Sequence, residues 1–138
     1  MKFSITTLLC LLLAFAGQAV ANDDDRDEYH IASVERIVAI GDLHGDYEQY
    51  VKVMESAGLL DRKGKWVGGE THLVQLGDIT DRGPDSRKII DHLVNVSKQA
   101  RRKGGAVHML IGNHEAMNVT GDLRYVHPGE YQAFQGRD

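Results

Sequence analysis

Residues 34–45 read Val34-Glu35-Arg36-Ile37-Val38-Ala39-Ile40-Gly41-Asp42-Leu43-His44-Gly45. A β-branched apolar run stops at a glycine and passes at once into carboxylate and imidazole. Such a run, short and bounded by a turn residue, predicts a buried strand over Val34–Ile40. The same pattern recurs twice. His72–Leu76 runs into Gly77-Asp78-Ile79-Thr80-Asp81-Arg82-Gly83, and Ala106–Ile111 runs into Gly112-Asn113-His114-Glu115. Between the first two strands, Asp46–Gly58 places Tyr47, Tyr50, Val51, Met54 and Ala57 at helical spacing and stops at Gly58. Leu59–Thr71, glycine-rich and polar around Trp66, reads as an irregular excursion. Ser86–Lys103 predicts a second helix with Ile89, Ile90, Leu93, Val94 and Ser97 inward. Its last turn holds Lys98, Arg101, Arg102 and Lys103, where cations suit the helix dipole.

Strand, helix, strand, helix, strand is the order of an α/β fold with a mostly parallel sheet. In such sheets ligands gather beyond the carboxyl ends of the strands. Asp42, His44, Asp78, Asp81, Arg82, Asn113 and His114 should therefore converge on one sheet edge. Any one of these loops alone would read as an ordinary turn or a surface ion pair. Three of them, each after an apolar strand, describe a built site.

Carboxylates, an imidazole and an amide oxygen together suit divalent Mn, Fe or Zn better than Ca. Two carboxylates from adjacent strands can share two divalent metal ions. A dinuclear centre lowers the pKa of a bridging water, giving hydroxide near neutral pH, and clamps the oxygens of an in-line displacement at phosphorus. Arg82 has the planar fork that binds two phosphate oxygens at once. His114 can protonate the leaving group, with Asp81 holding and charging that imidazole.

The N-terminus reads differently. Lys2, the apolar run Leu8–Ala16 and the small-residue pattern Ala19-Val20-Ala21 predict a secretory signal peptide over residues 1–21. The apolar run is too short to span a membrane. Removing it leaves 117 residues with 15 basic and 20 acidic side chains, a net charge of about −5. That balance argues against broad nucleic-acid binding. Cys10, the only cysteine, leaves with the signal. The mature chain then has no disulfide, cysteine nucleophile or zinc–thiolate site. Residues 22–33, with the charge run Asn22–Glu28, read as an acidic flexible tether. An exported protein, periplasmic or secreted, with no membrane span after cleavage, is the expectation.

GDLHG (Gly41–Gly45), GDITDRG (Gly77–Gly83) and GNHE (Gly112–Glu115) resemble the three N-terminal motifs of the calcineurin-like metallophosphoesterases. The intact DRG and the Glu of GNHE resemble the phosphoprotein phosphatase branch. Met117-Asn118 and Gly121–Val126 are similar to the Shewanella-like phosphatases. The resemblance covers Val34 to Val126. It implies a layered α/β/β/α sandwich, with residues 34–138 as its N-terminal part, the first βαβαβ half. It also implies a two-metal phosphomonoesterase acting on a phosphorylated protein or a small phosphomonoester. Asp42 and His44 would bind the first metal, Asp78 would bridge, and Asn113 would bind the second on the substrate side. His114 would be the general acid with Asp81 behind it, and Arg82 would grip the phosphate.

The family's catalytic domain is about twice this long, and its second half supplies two more histidine ligands. His30, His72, His92, His108 and His127 are the stand-in candidates, with His127 the best placed for the site. Arg124 is a further phosphate contact to test. The expectation is a truncated product with little phosphatase activity of its own and an exposed apolar sheet face. A non-catalytic metal- or partner-binding remnant is one alternative. A diadenosine-polyphosphate hydrolase is the other, although such proteins usually lack the counterpart of Asp81.

Overall fold

A computed structural model describes residues 33–136 of the chain. The predicted signal peptide and nearly all of the predicted tether lie outside those residues. Three strands, β1 (Ile37–Ile40), β2 (His72–Gln75) and β3 (Ala106–Met109), alternate with α1 (Tyr47–Ser56) and α2 (Ser86–Arg101). Two short helices follow, α3 (Asn113–Val119) and α4 (Pro128–Ala133). The sheet is parallel in the order β1-β2-β3, with Ile40 opposite Gln75 and Gln75 opposite Met109. All three strands therefore end on the same edge. The α/β class and the strand order agree with the sequence, and the strands are shorter than their apolar runs.

Each helix begins for a local reason. Asp46 caps α1 by accepting from Gln49 N–H at 3.0 Å. His127 caps α4 through Nδ1, with Pro128 in the first turn. Asp85, the N-cap of α2, makes no side-chain bond. Its role passes to Glu130 of α4, whose buried carboxylate accepts from Ser86 N–H at 2.9 Å. That long-range cap ties α4 to the start of α2.

One sheet face is packed. Leu73 and Val107 join Tyr50 and Met54 of α1 and Ile89, Leu93, Val96 and Ala100 of α2 in the core. Burying each large side chain is worth about 1.5–3 kcal/mol. The α2 stripe corrects the expectation at one position: Val94 is exposed, and Val96 is buried in its place. The spacing 89, 93, 96, 100 keeps to the 3.6-residue period, and Val94 falls outside that stripe. The irregular segment is anchored by an isolated bridge between Leu60 and Trp66, with the indole buried. On the other sheet face Ile37 is exposed, and His72, Val74, Ala106 and His108 are half-buried.

Candidate active site at the strand tips

The loop after β1 is bonded to the loop after β2. Leu43 and His44 N–H both donate to Asp78 O at 3.0 Å, and Gly45 N–H donates to Ile79 O at 2.8 Å. The loops touch backbone to backbone, which two glycine pairs permit. A Cβ on Gly45 would lie 2.5 Å from Gly83 O, and one on Gly77 would strike the backbone of Gly112. Gln75, fully buried at the end of β2, donates to Gly41 O and Gly77 O and accepts from Gly77 N–H. It thereby pins the first two strand ends together.

This packing holds non-glycine residues in left-handed backbone. His44, Asp78, Asp81 and Arg82 have φ of 44°, 53°, 73° and 65°. Such conformations cost about 1–3 kcal/mol each and concentrate where a side chain must be aimed. All four are residues the sequence marks for the site.

Asp42, His44 and Asp78 each place a ligand atom within 4.8 Å of the others. His44 Nδ1–H donates to Thr80 O at 3.0 Å, which leaves the Nε2 lone pair free. That Nε2 is buried with no hydrogen-bond partner and lies 3.4 Å from Asp42 Oδ2. A buried orphan nitrogen between two carboxylates fits a divalent cation. Asn113 opens α3 as an exposed residue next to Gly112, which is packed against Asp78. The third motif is a helix start rather than the loop expected from sequence.

His114 is buried at the start of α3. Its Nδ1 lies 2.7 Å from Asp81 Oδ2, and Asp81 is buried as well. Exposed Arg82 donates from Nη2 to His114 Nε2 at 3.3 Å. Nε2 is then the acceptor and Nδ1–H the donor to Asp81. His114 N–H donates to Asp78 Oδ1 at 2.8 Å, joining this group to the carboxylate cluster. The rings of His44 and Tyr125 flank His114, with centroids 4.6 and 5.2 Å away.

Sequence reasoning missed the residues that hold these in place. Glu115 accepts from the N–H groups of Gly112, Asp78, Ile79 and Thr80 and from Thr80 Oγ1. Burial pushes its carboxyl up, and the bonds from Thr80, Gly112 and Asp78 outweigh that, leaving it below its ordinary range. The GNHE motif marked Glu115 for the family resemblance only; its position three residues after Gly112, half of a capping box, is the signal for its bracing role. Asn118 donates to Thr80 Oγ1 and to Asp81 Oδ1 at 3.0 Å. Tyr125 O accepts from Arg82 N–H at 2.9 Å.

The stand-in histidines do not join the site. His92 bonds Gly64 O and Tyr47, and His127 caps α4. His72 and His108 meet each other on the sheet. His30 lies outside the described residues. Arg124 pairs with Asp122 at 2.8 Å, an exposed local contact.

Residues 35–137 match the model of the calcineurin-like phosphoesterases. The chain belongs to that family. It is 46% identical over 101 residues to Shewanella-like protein phosphatase 2 of Arabidopsis thaliana, covering 73% of this chain and 26% of that protein. It is 37% identical over 103 residues to Shewanella-like protein phosphatase 1 of Plasmodium berghei, covering 75% and 28%. The crystal structure of the cold-active protein-tyrosine phosphatase of a psychrophilic Shewanella species superimposes with a TM-score of 0.69 at 40% identity, covering 73% of this chain and 30% of that one. The family and the Shewanella-like resemblance expected from sequence are thus borne out. The chain spans between a quarter and a third of the length of these relatives.

Proposed function

We propose that residues 34–138 form the N-terminal part of the catalytic domain of an exported metal-dependent phosphatase that hydrolyses phosphate monoesters. The single observation that carries this is the buried Asp81–His114 pair, with exposed Arg82 on its outer nitrogen, set beside the Asp42–His44–Asp78 cluster. Asp42, His44 and Asp78 would hold divalent cations, Mn, Fe or Zn, with Asn113 completing the set. Bound there, the ions would lower the pKa of a coordinated water and offset the charge of the ester.

The chain's own residues account for the rest. Arg82 is exposed and lies on His114 Nε2. An arriving phosphate recruits its guanidinium as a two-oxygen clamp and so uncovers Nε2. Asp81 keeps the proton on Nδ1 and stabilises the imidazolium that forms when the uncovered Nε2 takes a proton from solvent; Nε2–H then gives that proton to the leaving alkoxide. Tyr125 walls that side of the ring. Phosphorylated protein or a small phosphomonoester is the substrate class; the relatives' names support the former. Export rests on the sequence of residues 1–21. Among the described residues no helix is long and apolar enough to cross a membrane.

Among the described residues three candidate cation ligands come together, Asp42, His44 and Asp78, which also supports the reading of a metal-binding chain with little turnover. Titrating the purified chain with Mn2+ and assaying p-nitrophenyl phosphate, a phosphopeptide and a dinucleoside polyphosphate tests both. We expect Mn2+ binding that Asp78→Asn weakens by about tenfold or more, with little hydrolysis of any substrate. Absence of Mn2+ binding, or binding untouched by Asp78→Asn, overturns the site. Robust metal-dependent turnover of a monoester overturns the expectation of low activity. Preference for the dinucleotide overturns the substrate class.

A further inference from the structure

Asn118 lies one helical turn beyond His114 on α3, so both side chains face the loop after β2. Its Nδ2 reaches two consecutive residues of that loop. One hydrogen goes to Asp81 Oδ1 at 3.0 Å, the other to Thr80 Oγ1 at 3.1 Å. Neither acceptor leaves a choice. The Asp81 carboxylate only accepts. The Thr80 hydroxyl already donates to Glu115 Oε1 at 3.0 Å, so toward Asn118 it too only accepts. The amide is thereby fixed with its oxygen the other way, and Asn118 Oδ1 is buried without a hydrogen-bond partner. A side chain chosen for packing alone would not leave an orphan acceptor behind.

We propose, on the strength of the phosphatase reading of this site, that Asn118 is a positioning residue for proton delivery, acting through Asp81 to hold the imidazole of His114. Asp81 is buried, and its backbone is left-handed. It holds His114 Nδ1–H through Oδ2 alone, at 2.7 Å. The terminal torsion of an aspartate is soft, so rotation would carry that oxygen off the ring. A donor on Oδ1 removes this freedom.

Thr80 extends the line to the second imidazole. Its carbonyl accepts from His44 Nδ1–H at 3.0 Å. One amide therefore joins the residue behind the cation-binding ring to the residue behind the proton-carrying ring, and the two ring centroids stand 4.6 Å apart. Holding Thr80 to Asp81 fixes that spacing, which is what proton transfer at a bound ester requires. Protonation matters most for a strongly basic leaving alkoxide. The effect of Asn118 should fall on alkyl monoesters and hardly on p-nitrophenyl phosphate.

Imidazole nitrogen spectra of the full chain, in chelated buffer at alkaline pH with the rings neutral, test the proposal. The parent should show His114 as one tautomer, with its hydrogen on Nδ1. Asn118→Ala should lower the ratio of the Nδ1–H to the Nε2–H form by about tenfold or more, the weight of one hydrogen bond to a charged group. Asn118→Asp, which sets a second acceptor against Asp81, should do so at least as strongly. His92, held by Gly64 and Tyr47 away from this loop, should keep its shifts in both variants. A merely structural amide would instead disturb His92 and His114 alike. That outcome, a parent already mixed, or an unchanged His114 ratio in folded Asn118→Ala would each overturn the proposal. Should both variants fail to fold, the unaltered chain decides. The Nδ2 hydrogens of Asn118 should then exchange with water about tenfold or more slowly than those of exposed Asn95, and equal exchange would overturn the proposal. A failure of the phosphatase reading shows separately, as a missing Mn2+ response at His44 with the His114 tautomer still dependent on Asn118.

Discussion

Asp81 accepts on both oxygens of one carboxylate. Oδ1 accepts from Asn118, and Oδ2 accepts from His114 Nδ1. This makes the tautomer of His114 predictable in a variant. In Asp81→Asn the amide keeps its oxygen toward Asn118 and turns its NH2 toward the ring. His114 Nδ1 must then accept, and its proton moves to Nε2, where it meets Arg82 instead of receiving from it. Nitrogen chemical shifts of His114 should report the change from an Nδ1–H to an Nε2–H imidazole. An unchanged tautomer would contradict the assignment of Asp81 as the group that orients the ring. If His114 is the general acid proposed above, the same substitution in a catalytically complete setting should lower turnover by about 10²–10⁴-fold. Glu115 works on the same loop from below. Its carboxylate gathers three backbone donors of that loop, those of Asp78, Ile79 and Thr80, together with the Gly112 N–H at the start of α3.

Among the elements, loop contacts and strand register divide the work. Gly77 has φ of 95°, and a Cβ there would run into Gly112, whereas nothing lies within 4 Å of a Cβ on Gly41. Gly77→Ala should destabilise the chain by about 3 kcal/mol or more, because strain and a backbone clash combine. Gly41→Ala should stay within about 1 kcal/mol of the parent. Urea unfolding of the two variants checks the contrast, and equal losses would show that the loops are not in close contact. Register brings His72 against His108, which gives the sheet a pH dependence. His72 is depressed below its ordinary 6.5 in the folded chain. The unfolded chain therefore binds the extra proton first as pH falls. The contribution to stability is fully present above 6.5 and is lost as pH drops from there toward the folded value. Thermal unfolding in chelated buffer should thus fall more steeply below pH 6.5 for the parent than for His72→Gln.

For the molecule as a whole, the surface carries much unmatched apolar area. Ile111 is 80% exposed and Val119 87%. An open hollow of about 500 Å3 is walled by Ile90, Val119, Leu123, Val126, Tyr131 and Phe134. Contiguous apolar surface of this kind drives association. The purified chain should bind a hydrophobic dye and sediment faster as concentration rises, and Val119→Ser with Phe134→Ser should reduce both. A concentration-independent monomer with no dye binding would contradict this. The architecture around that surface was legible in the chain itself. Apolar runs ending in glycine announced three parallel strands, and side chains directly following the strands announced the site, because period and turn chemistry are local properties. The convergence of Asp42, His44, Asp78, Asp81 and His114 on one sheet edge followed from this. Long-range partners were not. That Val96 rather than Val94 faces the core, that Glu115 and Asn118 brace the second loop, that Glu130 caps a helix begun 44 positions earlier, and that His72 meets His108 all depend on which loops pack together. A one-dimensional pattern states what a residue can offer; only the folded chain brings its partner within hydrogen-bonding reach.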